Sequence, residues 1–278
     1  MKNYMLSTKR ILILAAVFIM SSCIEETEII LQSPLEEAIV VDVKLTTDTM
    51  HHKAILSKTG DYYLYEQTPR VSGANIKITS ETGDVILFEE IEPGIYQTIE
   101  KVYGLVGEEY YLEIEYDDEL YESKSKIRRK PNIDSIGFRW QSFMESYRVL
   151  YYGQEHPGIG DFYLWHIYKN GELMTDSLHK IMFTSDEMFD GQYIYGIEID
   201  YWGNDFDFQV NDTITVEMHS ITKDTDAFLY EIYLESGGSG PSGGSGKTPV
   251  GNISNGAFGL FYTSSVVRKT AIIEEDQQ

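Results

Sequence analysis

The sequence predicts an all-β protein: an N-terminal immunoglobulin-like sandwich, then a second β-sandwich or half-barrel domain carrying one short helix. Three observations carry this expectation. Apolar and polar residues alternate with period two in segment after segment, turn-forming residues separate those segments, and only one stretch has helical spacing. Period-two alternation gives a strand one buried and one wet face, the pattern of antiparallel sheets packed on one side.

The elements follow in order. Val41, Val43 and Leu45 alternate with Asp42, Lys44 and Thr46; Ile76 and Ile78 alternate with Asn75, Lys77 and Thr79. Tyr110, Leu112, Ile114 and Tyr116 form the next apolar face, and Ile214, Val216 and Met218 a later one. Thr59-Gly60-Asp61, Glu81-Thr82-Gly83-Asp84, Glu92-Pro93-Gly94 and Asn211-Asp212 supply turns. Lys169-Asn170-Gly171-Glu172 is a hairpin signal, because Asn-Gly suits a type I′ turn. Aromatic strands are expected around Phe138–Trp140, Phe162–Tyr168, Tyr193–Trp202 and Phe258–Tyr262. The helix is expected over Asp226–Glu235, capped by Asp224, Thr225 or Asp226 and stopped by Gly237. Phe228, Leu229, Ile232 and Tyr233 would share its buried face; a strand over Phe228–Leu234 is the alternative.

The chain divides into 1–22 as a signal peptide, 23–35 as an acidic tether, 36–130 as the first sandwich and 131–278 as the second β domain. The basic run Arg128-Arg129-Lys130-Pro131 marks the join between the two domains, or else a loop within one large sandwich. Residues 236–248 are nearly all glycine and serine, the composition of a flexible loop.

The leader sets the compartment. Lys2, Lys9 and Arg10 precede the apolar run Ile11–Met20, and small residues then lead to Cys23. This is the order of a secretory signal, and the run is about half of what a membrane-crossing helix needs. Cys23 is the only cysteine, so no internal disulfide forms. Met20-Ser21-Ser22-Cys23 resembles the lipobox of bacterial lipoproteins, which implies a covalent lipid on Cys23 as the membrane anchor. A plain secreted protein is the alternative. The acidic residues after it, Glu25 and Glu26 among them, resemble the surface-export signal of Bacteroidota lipoproteins; a merely solvated tether is the other reading.

About 255 residues follow Cys23, enough for two domains, and the formal net charge of the whole chain is -23. So acidic a surface repels phosphates, which excludes nucleic acid as an expected partner and favours cationic ligands or basic partner surfaces.

Recognisable catalytic motifs are few: there is no His-Glu-x-x-His, and the Gly-x-Ser-x-Gly spacing occurs only within the glycine-serine stretch, not at a strand-to-helix elbow. No catalytic residues are therefore assigned, and the expectation is a non-enzyme. The histidines read as adventitious surface residues, and His51 and His52 leave opposite faces of a strand. The densest acidic group is Asp200, Asp205 and Asp207, which with Asn204 offers hard oxygens for calcium; a solvated loop is the default reading. Tyr201, Trp202, Phe206 and Phe208 line either a groove or the core. Asp48-Thr49-Met50, Asp134-Ser135-Ile136, Asp176-Ser177-Leu178 and Asp212-Thr213-Ile214 look like Bacteroidota O-glycosylation triplets.

Near the carboxy end the chain reads Thr248-Pro249-Val250-Gly251-Asn252-Ile253-Ser254-Asn255-Gly256-Ala257-Phe258-Gly259-Leu260-Phe261. This resembles the closing signature of a Bacteroidota outer-membrane lipoprotein family, domain of unknown function 4249. Asn252, Ile253, Gly256, Gly259 and Phe261 carry the match. Val71–Ile76, Glu92–Tyr96 and Gly107–Leu112 follow the order of that family's first domain, and the glycine-serine stretch departs from it. The physical reading of the motif is turn chemistry: Gly256 and Gly259 permit positive φ or close backbone approach. The resemblance implies an accessory lipoprotein of a TonB-dependent transporter or related β-barrel complex at the cell outer membrane. A stand-alone surface module for a glycan, peptide or host ligand, using Trp140, Trp165 or Trp202, is the alternative.

Overall fold

The computed structural model describes residues 38–60, 68–200, 206–238 and 248–275. Cys23, Glu25, Glu26, Trp202, Asp205 and most of the glycine-serine loop lie outside them.

Among the described residues, seven strands occupy the first half: β1 (Ile39–Thr46), β2 (Lys53–Lys58), β3 (Asn75–Ser80), β4 (Val85–Glu92), β5 (Ile95–Thr98), β6 (Glu109–Tyr116) and β7 (Glu119–Lys126). The second half holds β8 (Ser135–Gln141), β9 (Ser146–Gln154), β10 (Phe162–Lys169), β11 (Glu172–Leu173), β12 (Met182–Ser185), β13 (Tyr193–Glu198) and β14 (Thr213–Ile221). Helix α1 (Lys223–Tyr233) and the long strand β15 (Phe258–Ile272) complete it. The all-β expectation holds.

The alternating segments become strands with the expected faces. Val41, Val43 and Leu45 are fully buried on β1, as are Ile78 on β3 and Ile114 on β6. The Asn170-Gly171 turn joins β10 to β11 with both residues at positive φ, 52° and 87°, as a type I′ turn requires. Asp117 and Asp118 do the same between β6 and β7, a turn the sequence hides because it contains no glycine.

Strands run in the order β11-β10-β14-β15-β1-β2-β5-β4-β3-β6-β7, with β12 also paired to β10. This path folds over so that β7 returns to β15, where the Ser125 hydroxyl accepts from the Thr263 N–H at 3.1 Å. The inner faces of β1 and β2 thereby meet those of β3 and β6 in one core that includes Phe261. The separate sheet β13-β9-β8 packs over β10 and β14 to enclose a second core around Tyr151, Trp165 and Val216. The Arg128–Pro131 run lies between β7 and β8.

Strand β15 serves both cores. Phe258–Ser264 pairs parallel with β1, and Ser265–Ile272 pairs antiparallel with β14. The strand expected around Phe258–Tyr262 forms there and runs on to Ile272. Thr263, Ser264 and Ser265 break the apolar pattern, yet all three are fully buried, because polar partners meet them at the seam.

The helix needs correction. It begins at Lys223, capped by Thr222, whose side chain accepts from the Thr225 N–H; the expected start at Asp226 and caps at Asp224, Thr225 or Asp226 are too late. Thr222 directly follows β14, so the chain turns into the helix without a linker. Phe228 is buried and Leu229, Ile232 and Tyr233 half-buried, the expected face. The end opens into a single π turn over Leu234–Gly238.

Candidate functional site

The carboxy-terminal motif is explained by backbone contacts. The Asn252 side chain accepts from the Phe261 N–H at 2.9 Å and donates to the Phe261 carbonyl at 2.7 Å. It thus acts as a two-point clamp at the start of β15. Gly259 has φ +98°, and a Cβ there would lie 1.9 Å from the Val41 carbonyl oxygen, so only glycine lets β15 pair with β1. Gly256 has φ +71°, Ile253 packs against the first core, and Phe261 lies fully within it.

At the seam, one face of β14 carries Glu217 and His219. The His219 Nε2 lies 2.7 Å from Glu217 Oε1 and its Nδ1 lies 2.9 Å from Ser264 Oγ on β15. An ionised carboxylate only accepts, so Nε2 carries the proton and Ser264 donates to Nδ1. Arg268 binds Glu217 through Nε at 2.6 Å and holds Asp48 with both terminal nitrogens, at 2.9 and 2.5 Å. His166 on β10 meets the His219 ring edge-on, with centroids 5.3 Å apart, and its Nδ1 lies 3.1 Å from the Thr175 hydroxyl.

The electrostatics of this cluster follow from burial and neighbours. Burial, with Lys44 nearby, holds His219 down at about 4. Burial and the neighbouring His219 hold His166 down at about 3. Burial pushes Glu217 up, but the His219 hydrogen bond and charge, Arg268 and Lys44 outweigh it and hold the carboxyl at about 2. The result is an ionised glutamate beside two neutral imidazoles. Hydroxyl, imidazole and carboxylate stand in the order of an acyl-transfer relay. Ser264 is fully buried, however, so in this conformation the relay works as a clamp between strands. His52 is buried too, with Nε2 3.1 Å from the Val102 carbonyl. The surface reading of the histidines is therefore corrected for His52 and His219, and His166 is half-buried.

A second cluster gathers Glu155, Asp161 and Asp186, whose carboxylate oxygens lie within 4.8 Å of one another, all buried. Hard oxygens at this spacing suit a divalent cation. Each carboxylate already has a protein partner. Arg129 Nε donates to Asp161 at 2.7 Å, the Gly160 N–H bonds Asp186 at 3.0 Å, and the Tyr163 hydroxyl donates to Glu155 at 2.6 Å. Burial pushes Glu155 above its ordinary range. These residues are separated by up to about thirty positions in the chain and carry no common motif, which is why sequence reading passes over them. Glu217 and His219 left a signal: a Glu-x-His pair on one face of a strand.

The group Asp200, Asp205 and Asp207 is only partly described. Asp200 is buried against Arg148, whose Nε lies 3.0 Å away, and accepts from the Val149 N–H at 3.1 Å; burial pushes it up to about 6. Asp207 is exposed and its side chain accepts from Gln209. Phe206 and Phe208 belong to the core. The outer face of the β4-β3-β6-β7 sheet, by contrast, is open and grooved. One groove of about 330 Å³ is lined by Leu87, Ile99, Lys77, Glu113 and Glu115, and another of about 520 Å³ by Tyr111, Glu122 and Lys124.

These features define an all-β chain of two cores that share strand β15, with a buried acid–base cluster at the seam and grooves on a sheet face. The chain belongs to the family described as Domain of unknown function (DUF4249), whose model matches residues 24–270. No curated protein matches it. Among solved structures it is similar to a DUF4785 family protein from Legionella pneumophila, at 13% identity and a TM-score of 0.24, covering 66% of this chain and 52% of that one. It is also similar to the BSP domain of a biofilm associated protein, at 8% identity and a TM-score of 0.23, covering 87% of this chain and 30% of that one. The chain thus spans about half or less of those structures.

Proposed function

We propose that this protein is a lipid-anchored, surface-displayed outer-membrane lipoprotein acting by contact, as an accessory binding subunit of a TonB-dependent transporter or related β-barrel complex. Cys23, following the apolar run and two serines, supports the anchor, and the acidic residues after it support display. One structural observation carries the reading. The groups able to do acid–base chemistry at the seam are engaged with one another in the interior, while the grooves open on an exposed sheet face. Two cores that share β15 and are further linked by Arg129 to Asp161 and Ser265 suit a rigid body that presents a surface.

The test is metabolic palmitate labelling of the full chain beside a Cys23→Ser variant, followed by mild-detergent purification from native membranes. Labelled wild type recovered with a β-barrel partner is the expected result. Recovery of labelled protein solely as a monomer would refute the accessory role, and unlabelled protein would refute the anchor.

A stand-alone glycan or peptide binder is favoured by one feature. Trp140 is 39% and Phe143 71% exposed at the β8–β9 turn, an aromatic tip suited to stacking. Trp165 lies in the core and takes no part in such a platform. Glycan-array binding abolished by Trp140→Ala would establish this second reading.

A further inference from the structure

We propose that the outer face of the β4-β3-β6-β7 sheet docks a protein partner whose contact surface carries apolar side chains rimmed by lysine or arginine. This rests on the contact function argued above and names the surface and the partner's chemistry.

The strand registers lay out the face. Leu87 stands opposite Lys77, Lys77 opposite Glu113, and Glu113 opposite Glu122. In the next rows Val85, Thr79, Tyr111 and Lys124 align on one side, and Asn75, Glu115 and Leu120 on the other. Val85 is 56%, Leu87 52%, Ile99 46% and Leu120 43% exposed. Single exposed apolar residues are ordinary, but these are neighbours. Val85 and Leu87 share one strand face, the Ile99 N–H bonds the Leu87 carbonyl, and Leu87 and Ile99 line the same groove. Helix α1, the one α-helix among the described residues, packs against β10 and β15 and not on this face.

Charge specifies the occupant. Lys77 is paired with Glu113 at 2.9 Å and Lys124 with Glu109 at 3.4 Å. Among the described residues no cation reaches Glu115 or Glu122 at ion-pair distance. Glu122 stands opposite Glu113, whose charge Lys77 already meets. A cation brought by a partner meets Glu115 and Glu122 while apolar groups cover Leu87 and Ile99. A second copy of this chain, or an anionic membrane, would bring further negative charge to a chain of net charge -23.

The test places a photo-crosslinking amino acid at Leu87 or, as a control, at Tyr195 on β13, in the full chain in its native cells. The crosslinked peptide is then sequenced by mass spectrometry. The expected result is a discrete adduct from position 87 to a peptide bearing lysine or arginine beside apolar residues. Its yield should fall about tenfold in Glu115→Lys/Glu122→Lys, a doubly exposed change, with an unaltered circular dichroism spectrum. Absence of an adduct at 87, or adducts there to lipid, to a second copy or to an acidic peptide, overturns the proposal. Adducts from Tyr195 alone would remove this surface yet keep the contact function; no adduct at either position from a monomeric protein would remove both.

Discussion

The two neutral histidines at the seam make the fold sensitive to acid. Lowering the pH from 7 to 5 protonates a histidine in the unfolded chain, where its ordinary value is 6.5, but leaves His219 at about 4 and His166 at about 3 neutral in the fold. A group whose folded pKa is depressed in this way withdraws stability as pH falls below the unfolded value, at roughly 1.4 kcal/mol per pH unit. Over the window from 6.5 to 5 this amounts to about 2 kcal/mol for each histidine. Glu217 at about 2 has its effect below the ordinary carboxylate range, outside this window. Asp200, pushed up to about 6, acts oppositely: it takes up a proton in the fold before the unfolded chain does and adds stability as pH falls. The wild-type profile alone therefore mixes the two. Comparison with His219→Gln separates them, because glutamine keeps a donor for Glu217 and an acceptor for Ser264 without titrating. Urea unfolding followed by tryptophan fluorescence, to which the buried Trp165 contributes, at pH 7 and pH 5 is the assay. Wild type should lose about 2 kcal/mol more than His219→Gln between those pH values. Equal losses in the two proteins would refute the assignment of a buried neutral imidazole.

Other outcomes follow from the same structure. Arg268→Met leaves Glu217 and Asp48 without their shared cation and should cost about 1–2 kcal/mol in urea unfolding, between an exposed and a fully buried pair because the arginine is partly exposed. Gly259→Ala forces a Cβ against the Val41 carbonyl at a positive φ, so the chain should lose its cooperative thermal transition or show it at markedly lower temperature. Asn252→Ala removes both bonds to the Phe261 backbone and should destabilise by about 2 kcal/mol, read as a shifted urea midpoint with an unchanged slope.

Much of the fold was legible because it rests on local rules. Alternation placed the buried faces of β1, β3, β6 and β14, since side-chain direction in a strand follows parity. Asn170-Gly171 announced its turn, since few residues accept positive φ, whereas Asp117-Asp118 did not, although aspartate tolerates that conformation. The helix face was readable from its spacing, but its start was not, because the cap Thr222 directly follows the strand with no linker to announce it. Of the candidate sites, the closing motif could be read as turn chemistry, while the clamp from Asn252 to Phe261 needed coordinates. Asp200 looked like a solvated ligand in sequence and is a buried partner of Arg148, because neighbours in sequence give no information on what a side chain meets across a sheet.

By itself the sequence determined the class of fold, the parity of β1, β3, β6 and β14, several of the turns and the family. Only the tertiary structure decided that β15 changes partner at Ser264, that a polar seam of Glu217, His219 and Arg268 is buried there, and that Glu155, Asp161 and Asp186 meet. The reason is physical. Periodicity records which side of a strand is dry, but hydrogen bonds and ion pairs between residues far apart in the chain exist only once the sheets have closed on one another.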